Sequence, residues 1–136
     1  MQKPMGRIET IAASGREQIP GSIPFVRART LSVTVRMTFG ASIDADATTE
    51  IYYSPDGEIW DTIYYAHQAI TFTAGGTVQK TFIVDPPEHG HLCIKILNGS
   101  QSDTITDIRA WYSIQSWPNW ADADSRGLIT TAEVYD

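Results

Sequence analysis

Three groups of side chains in this 136-residue sequence are of types that do chemistry. Asp44, Asp46 and Glu50 lie close together, with Asp61 further on. Paired carboxylates are what glycoside hydrolysis requires, one to protonate the leaving oxygen and one to attack or to activate water. His89 and His91 are one residue apart, so on an extended chain both imidazoles face the same side and could share a metal, with His67 or Glu88 as further donors. Cys93 is the single thiol. Each group falls short of a site. The carboxylates sit in and beside a polar connection, where hydration accounts for them. The histidines have no third ligand at a diagnostic spacing and read as surface residues beside Pro86-Pro87. Cys93, between Leu92 and Ile94, reads as a small hydrophobe in a core. With no nucleophile beside a base, no phosphate loop and no closed metal set, the expectation is a protein that is not an enzyme and uses no cofactor or metal.

The elements that would position these groups are strands. Leu31, Val33, Val35 and Met37 alternate with Ser32, Thr34, Arg36 and Thr38, the period of a half-buried antiparallel strand. Two β-rich runs, near 48–54 and 59–66, flank Ser54-Pro55-Asp56-Gly57, where Pro55 presets the first corner and Gly57 accepts positive φ. A second hairpin is expected over 69–84 around Gly75-Gly76. Asp85 to Gly90 must interrupt the sheet, because consecutive prolines cannot donate to a ladder. Further strands are expected over His91 to Leu97, ended by Asn98-Gly99, and over about 103–115, with Ile108, Ala110, Tyr112 and Ile114 on one face. About seven or eight strands without an amphipathic helix point to an all-β chain, an antiparallel β-sandwich of immunoglobulin-like or jelly-roll kind. Three parts are expected: an extended arm over 1–27, rich in Pro and Gly and ordered only if something supports it; a sandwich over 28–116; and an acidic, irregular tail over 117–136.

The length suits one domain, and 42% hydrophobic with 19% charged residues is the composition of a chain that folds. Charge is unevenly spread. Residues 1–36 hold six basic and two acidic side chains, a balance of +4, and the rest hold four basic and fourteen acidic, a balance of −10, giving the net −6. A basic arm on an acidic body suggests docking on an acidic neighbour, a second copy included. The N-terminal charges are not followed by a long apolar stretch, so neither a secretory signal nor a membrane span is expected.

Several motifs admit a sharper reading. Ser54-Pro55-Asp56-Gly57-Glu58-Ile59-Trp60 resembles the Asp-box hairpin of sialidase propellers, one residue short and present once, and also the Asp-Gly hairpins of discoidin-like sandwich modules. Both resemblances imply a structural turn, with Asp56 bonding its own backbone and Trp60 contributing buried area. Asp122 to Glu133 resembles a calcium-binding EF-hand loop, with acids at its first and third positions, but Arg126 replaces an oxygen ligand and no flanking helices are available. Asn98-Gly99-Ser100 fits a glycosylation sequon and reads as a turn. Trp117 and Trp120 flank Pro118; exposed, they would stack on sugar rings, and folded back, they would cap the sandwich or meet a neighbouring subunit.

The run Tyr53-Ser54-Pro55-Asp56-Gly57-Glu58-Ile59-Trp60-Asp61-Thr62, within Thr30 to Ile114, resembles hairpins of small β-sandwich virion proteins of tailed bacteriophages, which decorate capsids or sit at the head, neck or tail. The resemblance implies assembly as the function. The protein would be made in the host cytoplasm and reside in the virion. Its partners would be other virion proteins and copies of itself, as a homo-oligomer, without nucleic acid or membrane. Arg7, Arg16, Arg27 and Arg29 would then anchor the arm, with Trp117 and Trp120 at a subunit boundary. The alternative is a module that binds a glycan, for carbohydrate recognition or receptor attachment.

Overall fold

The computed structural model describes residues 2–116. Nine strands make up its regular structure: β1 (Lys3–Ile11), β2 (Arg16–Gln18), β3 (Ile23–Val26), β4 (Ala28–Phe39), β5 (Ala47–Ser54), β6 (Ala66–Ile70), β7 (Thr77–Val84), β8 (His89–Asn98) and β9 (Ile105–Ser116). They form two antiparallel sheets. The first has the order β1-β9-β4-β7; in the second, β5 joins β6 to β8, and β2 and β3 pair in succession along the other side of β8. This is the expected all-β sandwich.

Its core follows from the two-residue period. Leu31, Val33, Val35, Met37 and Phe39 of β4 are buried, facing Ile51 of β5 and Leu92, Ile94 and Ile96 of β8. Fully burying one such side chain contributes about 1.5–3 kcal/mol against the entropy of ordering the chain.

Residues 3–26 are extended, but they are part of the sandwich and not an arm outside it. β1 pairs with β9 from Lys3 to Ile11, and β2 and β3 pair with β8. The prolines and glycines that break the sequence pattern sit at joints and edges. Gly6 lies in a bulge between Pro4 and Arg7, its amide 3.0 Å from the Pro20 carbonyl; an added Cβ would stand 2.5 Å from Pro20. Pro4 and Pro24 lie in edge strands, where a missing N–H is tolerated. Between these joints Ile11, Ile19, Ile23 and Phe25 are buried. The support this segment needs is the sandwich itself.

Both expected hairpins differ in detail. β5 does pair with β6, but residues 59–65 are not a strand; they form a loop that returns to the sheet where Ala66 meets Ile51. The segment expected as a hairpin over 69–84 crosses between sheets instead. Ile70 is buried at the end of β6, while the Gly75 amide donates to the Gly40 carbonyl (3.0 Å) and the Phe39 amide to the Gly76 carbonyl (2.9 Å), which starts β7 along β4. The break at Pro86-Pro87 is present, but β8 begins at His89, two residues before the expected start at His91. Asn98 ends it as a buried staple: its side-chain amide donates to the carbonyls of Ala12 (3.2 Å) and Asp103 (2.9 Å) and accepts from the Ser100 amide, so the sequon asparagine is inside the molecule. Trp117, Trp120 and the Asp122–Glu133 segment lie outside the described residues.

Candidate functional site

The Ser54-Pro55-Asp56-Gly57 turn is held by its own polar atoms. The Ser54 hydroxyl donates to Asp56 Oδ1 (3.0 Å) and accepts from the Gly57 amide (2.8 Å), and Asp56 Oδ1 accepts from the amides of Glu58 (2.9 Å) and Ile59 (3.0 Å). Those amide bonds hold the Asp56 carboxyl below the usual carboxylate range. Gly57 has φ of 80°, which favours glycine, and the His91 ring stands 3.2 Å from where a Cβ would be, so a larger residue would also have to displace that ring slightly. These bonds close the turn, and Trp60 is half-buried.

What this turn positions is an apolar loop. Ile59 and Ile63 are 75% and 76% exposed, and Tyr64 and Tyr65 are exposed beside them. The loop is pinned at three points: the Asp61 amide to the Tyr53 carbonyl (3.0 Å), the Tyr65 amide to the Ile51 carbonyl, and the Tyr65 hydroxyl to the Asp85 carbonyl (2.6 Å). Val26, whose partner is His89, and Ile83, next to the Leu31 partner Val84, are also exposed. β3, β5, β7 and β8 therefore bring Val26, Ile59, Ile63 and Ile83 to one pole of the sandwich. The sequence reading missed this because Ile59 to Tyr65 alternates like a strand.

A second concentration lies on the outer face of the second sheet. Glu50 is almost fully buried there. Arg16 covers it, Nε donating to Oε1 (2.8 Å) and Nη2 to Oε2 (3.2 Å), and the Tyr52 hydroxyl donates to Oε1 (3.1 Å). A buried carboxylate is tolerable only with such partners. Burial pushes the Tyr52 phenol up, and the bond to Glu50 adds to this. Lys95, opposite Glu50 in register, places Nζ 4.3 Å from the Tyr52 ring centre. Tyr64 stands edge-on to Tyr52 (6.4 Å) and 4.7 Å from the His67 ring. Cys93, opposite Tyr52, shares this outer face and is buried there, outside the cluster between the sheets where the sequence placed it, and burial pushes its thiol up.

The remaining expected site residues are dispersed. Asp44 accepts from the hydroxyls of Ser100 (2.7 Å) and Ser102 (3.0 Å), and Asp46 accepts from the Phe72 amide (3.1 Å). Both lie just before β5, while Asp61 lies in the loop after it and Glu50 is sealed under Arg16, so the four carboxylates do not converge. His89 is exposed, its carbonyl accepting from the Tyr53 hydroxyl (2.9 Å), and His91 packs on Gly57. Of the arginines, Arg16 is held by Glu50 and Arg7 by Asp107 (2.8 Å). Arg27 (φ 54°) and Arg29 are exposed at the start of β4. Tyr64, Lys95 and Asp107 escaped the sequence reading because the fold brings them to partners far along the chain, Tyr64 to Tyr52 through the loop after β5, Lys95 to Tyr52 through the β5–β8 ladder, and Asp107 to Arg7, 100 residues away, through the β1–β9 ladder; Arg109 then shares Asp107 from two residues along β9.

Comparison with protein-family models and with curated protein sequences gives no match. Among solved structures the chain is similar to one described as "CBM4 structure and function", at TM-score 0.50 and 18% identity over 80% of this chain and 70% of that one. It is also similar to the cowpea mosaic virus top component, naturally occurring empty particles, at TM-score 0.49 and 10% identity over 85% of this chain and 86% of that one. At 18% identity the first likeness concerns the fold alone, and that fold is the β-sandwich.

Proposed function

We propose that the protein is a non-enzymatic structural subunit of a virion, of the small sandwich type seen in tailed phages, and that it assembles through the apolar pole. The observation that carries this reading is the exposure of Ile59 and Ile63, at 75% and 76%, on a loop pinned by hydrogen bonds to β5 and to the β7–β8 connection. Large aliphatic side chains held rigidly in water gain by being covered, and a pinned loop loses little further entropy when that happens. The occupant is a second copy of the chain, whose equivalent pole offers the same apolar surface. Light scattering on the purified chain is expected to give a defined oligomer that Ile59→Asp with Ile63→Asp dissociates to a monomer of unchanged circular dichroism. A wild-type chain that is monomeric at every accessible concentration would overturn it.

A second reading, glycan binding, is favoured by the outer face of the second sheet. Arg16 and Lys95 offer donors there, and Tyr64 offers an exposed ring beside them. Under this reading Tyr64→Ala abolishes binding on a glycan array; an array on which the wild-type chain binds nothing removes it.

A further inference from the structure

The outer face of the first sheet carries arginines side by side. Arg7 of β1 lies opposite Arg109 of β9, and Arg109 lies opposite Arg36 of β4. All three are exposed, on a chain of net charge −6. Like charges placed directly opposite on a sheet are destabilising. Partial relief comes from Asp107, the residue at the β9 bulge, with φ of 51°. Its Oδ1 accepts from Nε of both Arg7 (2.8 Å) and Arg109 (3.0 Å). The pair holds the Asp107 carboxyl below the usual range, Arg109 most strongly. Glu9, next along β1 on this face, is the other nearby carboxylate, and it makes no ion pair with either arginine among the described residues.

One carboxylate oxygen on two Nε atoms leaves the terminal amino groups of both guanidinium forks without a protein partner among the described residues. Both arginines line a cavity of about 190 Å³, together with Pro4, Met5, Ala110 and Trp111. The cavity sits at the β1 bulge between Pro4 and Arg7, where the strand shifts its register against β9. Its volume is below that of a drug-sized site, about 300 Å³ or more, and suits one small group. Paired guanidinium forks match the planar or tetrahedral oxygens of a carboxylate, sulfate or phosphate, and an indole offers a flat apolar wall to a ring carrying such a group.

We propose that the cavity between Arg7, Arg109 and Trp111 binds the oxyanion group of a small ring-bearing acid. Asp107 is the positioning residue, holding both forks by their Nε atoms beside the cavity. The site is on the opposite sheet from the glycan face and is independent of the apolar pole.

The test is calorimetric titration of the full chain, at constant ionic strength, with glucuronate, inorganic phosphate and glucose. Fixed ionic strength separates a site from general screening. Saturable binding of glucuronate is expected, with phosphate weaker and glucose silent. Arg7→Gln and Arg109→Gln are each expected to weaken glucuronate about tenfold or more, as loss of a charge-assisted bond does. Each variant relieves like-charge crowding and gives up one exposed ion pair to Asp107, small effects of opposite sign, so the thermal midpoints should stay close to the wild-type value, which separates lost binding from lost folding. A readout without substitution is the side-chain Nε–H resonances of Arg7 and Arg109, which should shift on titration of the wild type. Equal binding of phosphate and glucuronate would keep the oxyanion site and remove the ring from its ligand. No saturable binding of either acid, binding that survives both substitutions, or equal binding of glucose would overturn the proposal.

Discussion

Glu50 shows how much one residue depends on its neighbours in this molecule. Its carboxylate faces outward from the sheet yet is buried, because Arg16 lies across it and the Tyr52 hydroxyl reaches it from the side. Removing Arg16 strands the charge. Arg16→Ala is expected to destabilise the fold by about 1–3 kcal/mol, below the cost of breaking a fully enclosed pair because Arg16 itself is half exposed. Adding Glu50→Gln to Arg16→Ala should recover most of that loss, because an amide is cheaper to leave under Tyr52 than a carboxylate. Urea denaturation of both single variants and the double variant measures this as a coupling energy. A coupling near zero would mean that Glu50 is well enough solvated to need no cover.

Among the elements, β1 to β3 have the largest consequences. Ile11, Ile19 and Ile23, all within residues 1–24, enter the core from this segment. At about 1.5–3 kcal/mol each, their burial is comparable with the whole net stability of a domain, about 5–15 kcal/mol. Deletion of residues 1–24 is therefore expected to leave a chain without a cooperative thermal transition. A truncated protein that still melts cooperatively would return the segment to the status of an arm. The sequence made β4, β5, β8 and β9 readable because each alternates over a long run with one face in the core. β1 to β3 were not readable, because Gly6, Gly15, Pro20 and Gly21 cut the pattern into pieces too short to show a period. Ile59 to Tyr65 failed in the opposite way: it carries a strand-like pattern, but the Asp56 turn and the pins to Tyr53 and Asp85 hold it off the sheet. The candidate sites were less legible still. Arg7 meets Asp107, and Arg16 and Lys95 meet Glu50, through long-range pairing, which local spacing does not encode.

For the whole molecule, the charge asymmetry of the sequence becomes an internal pairing. The basic N-terminal segment lies along β9 and β8, and Arg7 and Arg16 find their carboxylates on β9 and β5 of the same chain. Charge is thus partly spent in closing the sandwich, and the features left facing outward are the apolar pole, the tyrosine face and the arginine row. The placement of β1 beside β9 has a mechanical consequence. The two strands run antiparallel, with Lys3 opposite Tyr112 and Ile11 opposite Ile105, so the beginning of one lies by the end of the other. Tension applied to the two ends of the sandwich would open this ladder one hydrogen bond at a time, as a zip, and would not shear the whole row at once. The domain is built to yield at low force when pulled by its ends, and to resist when the load enters through its middle strands.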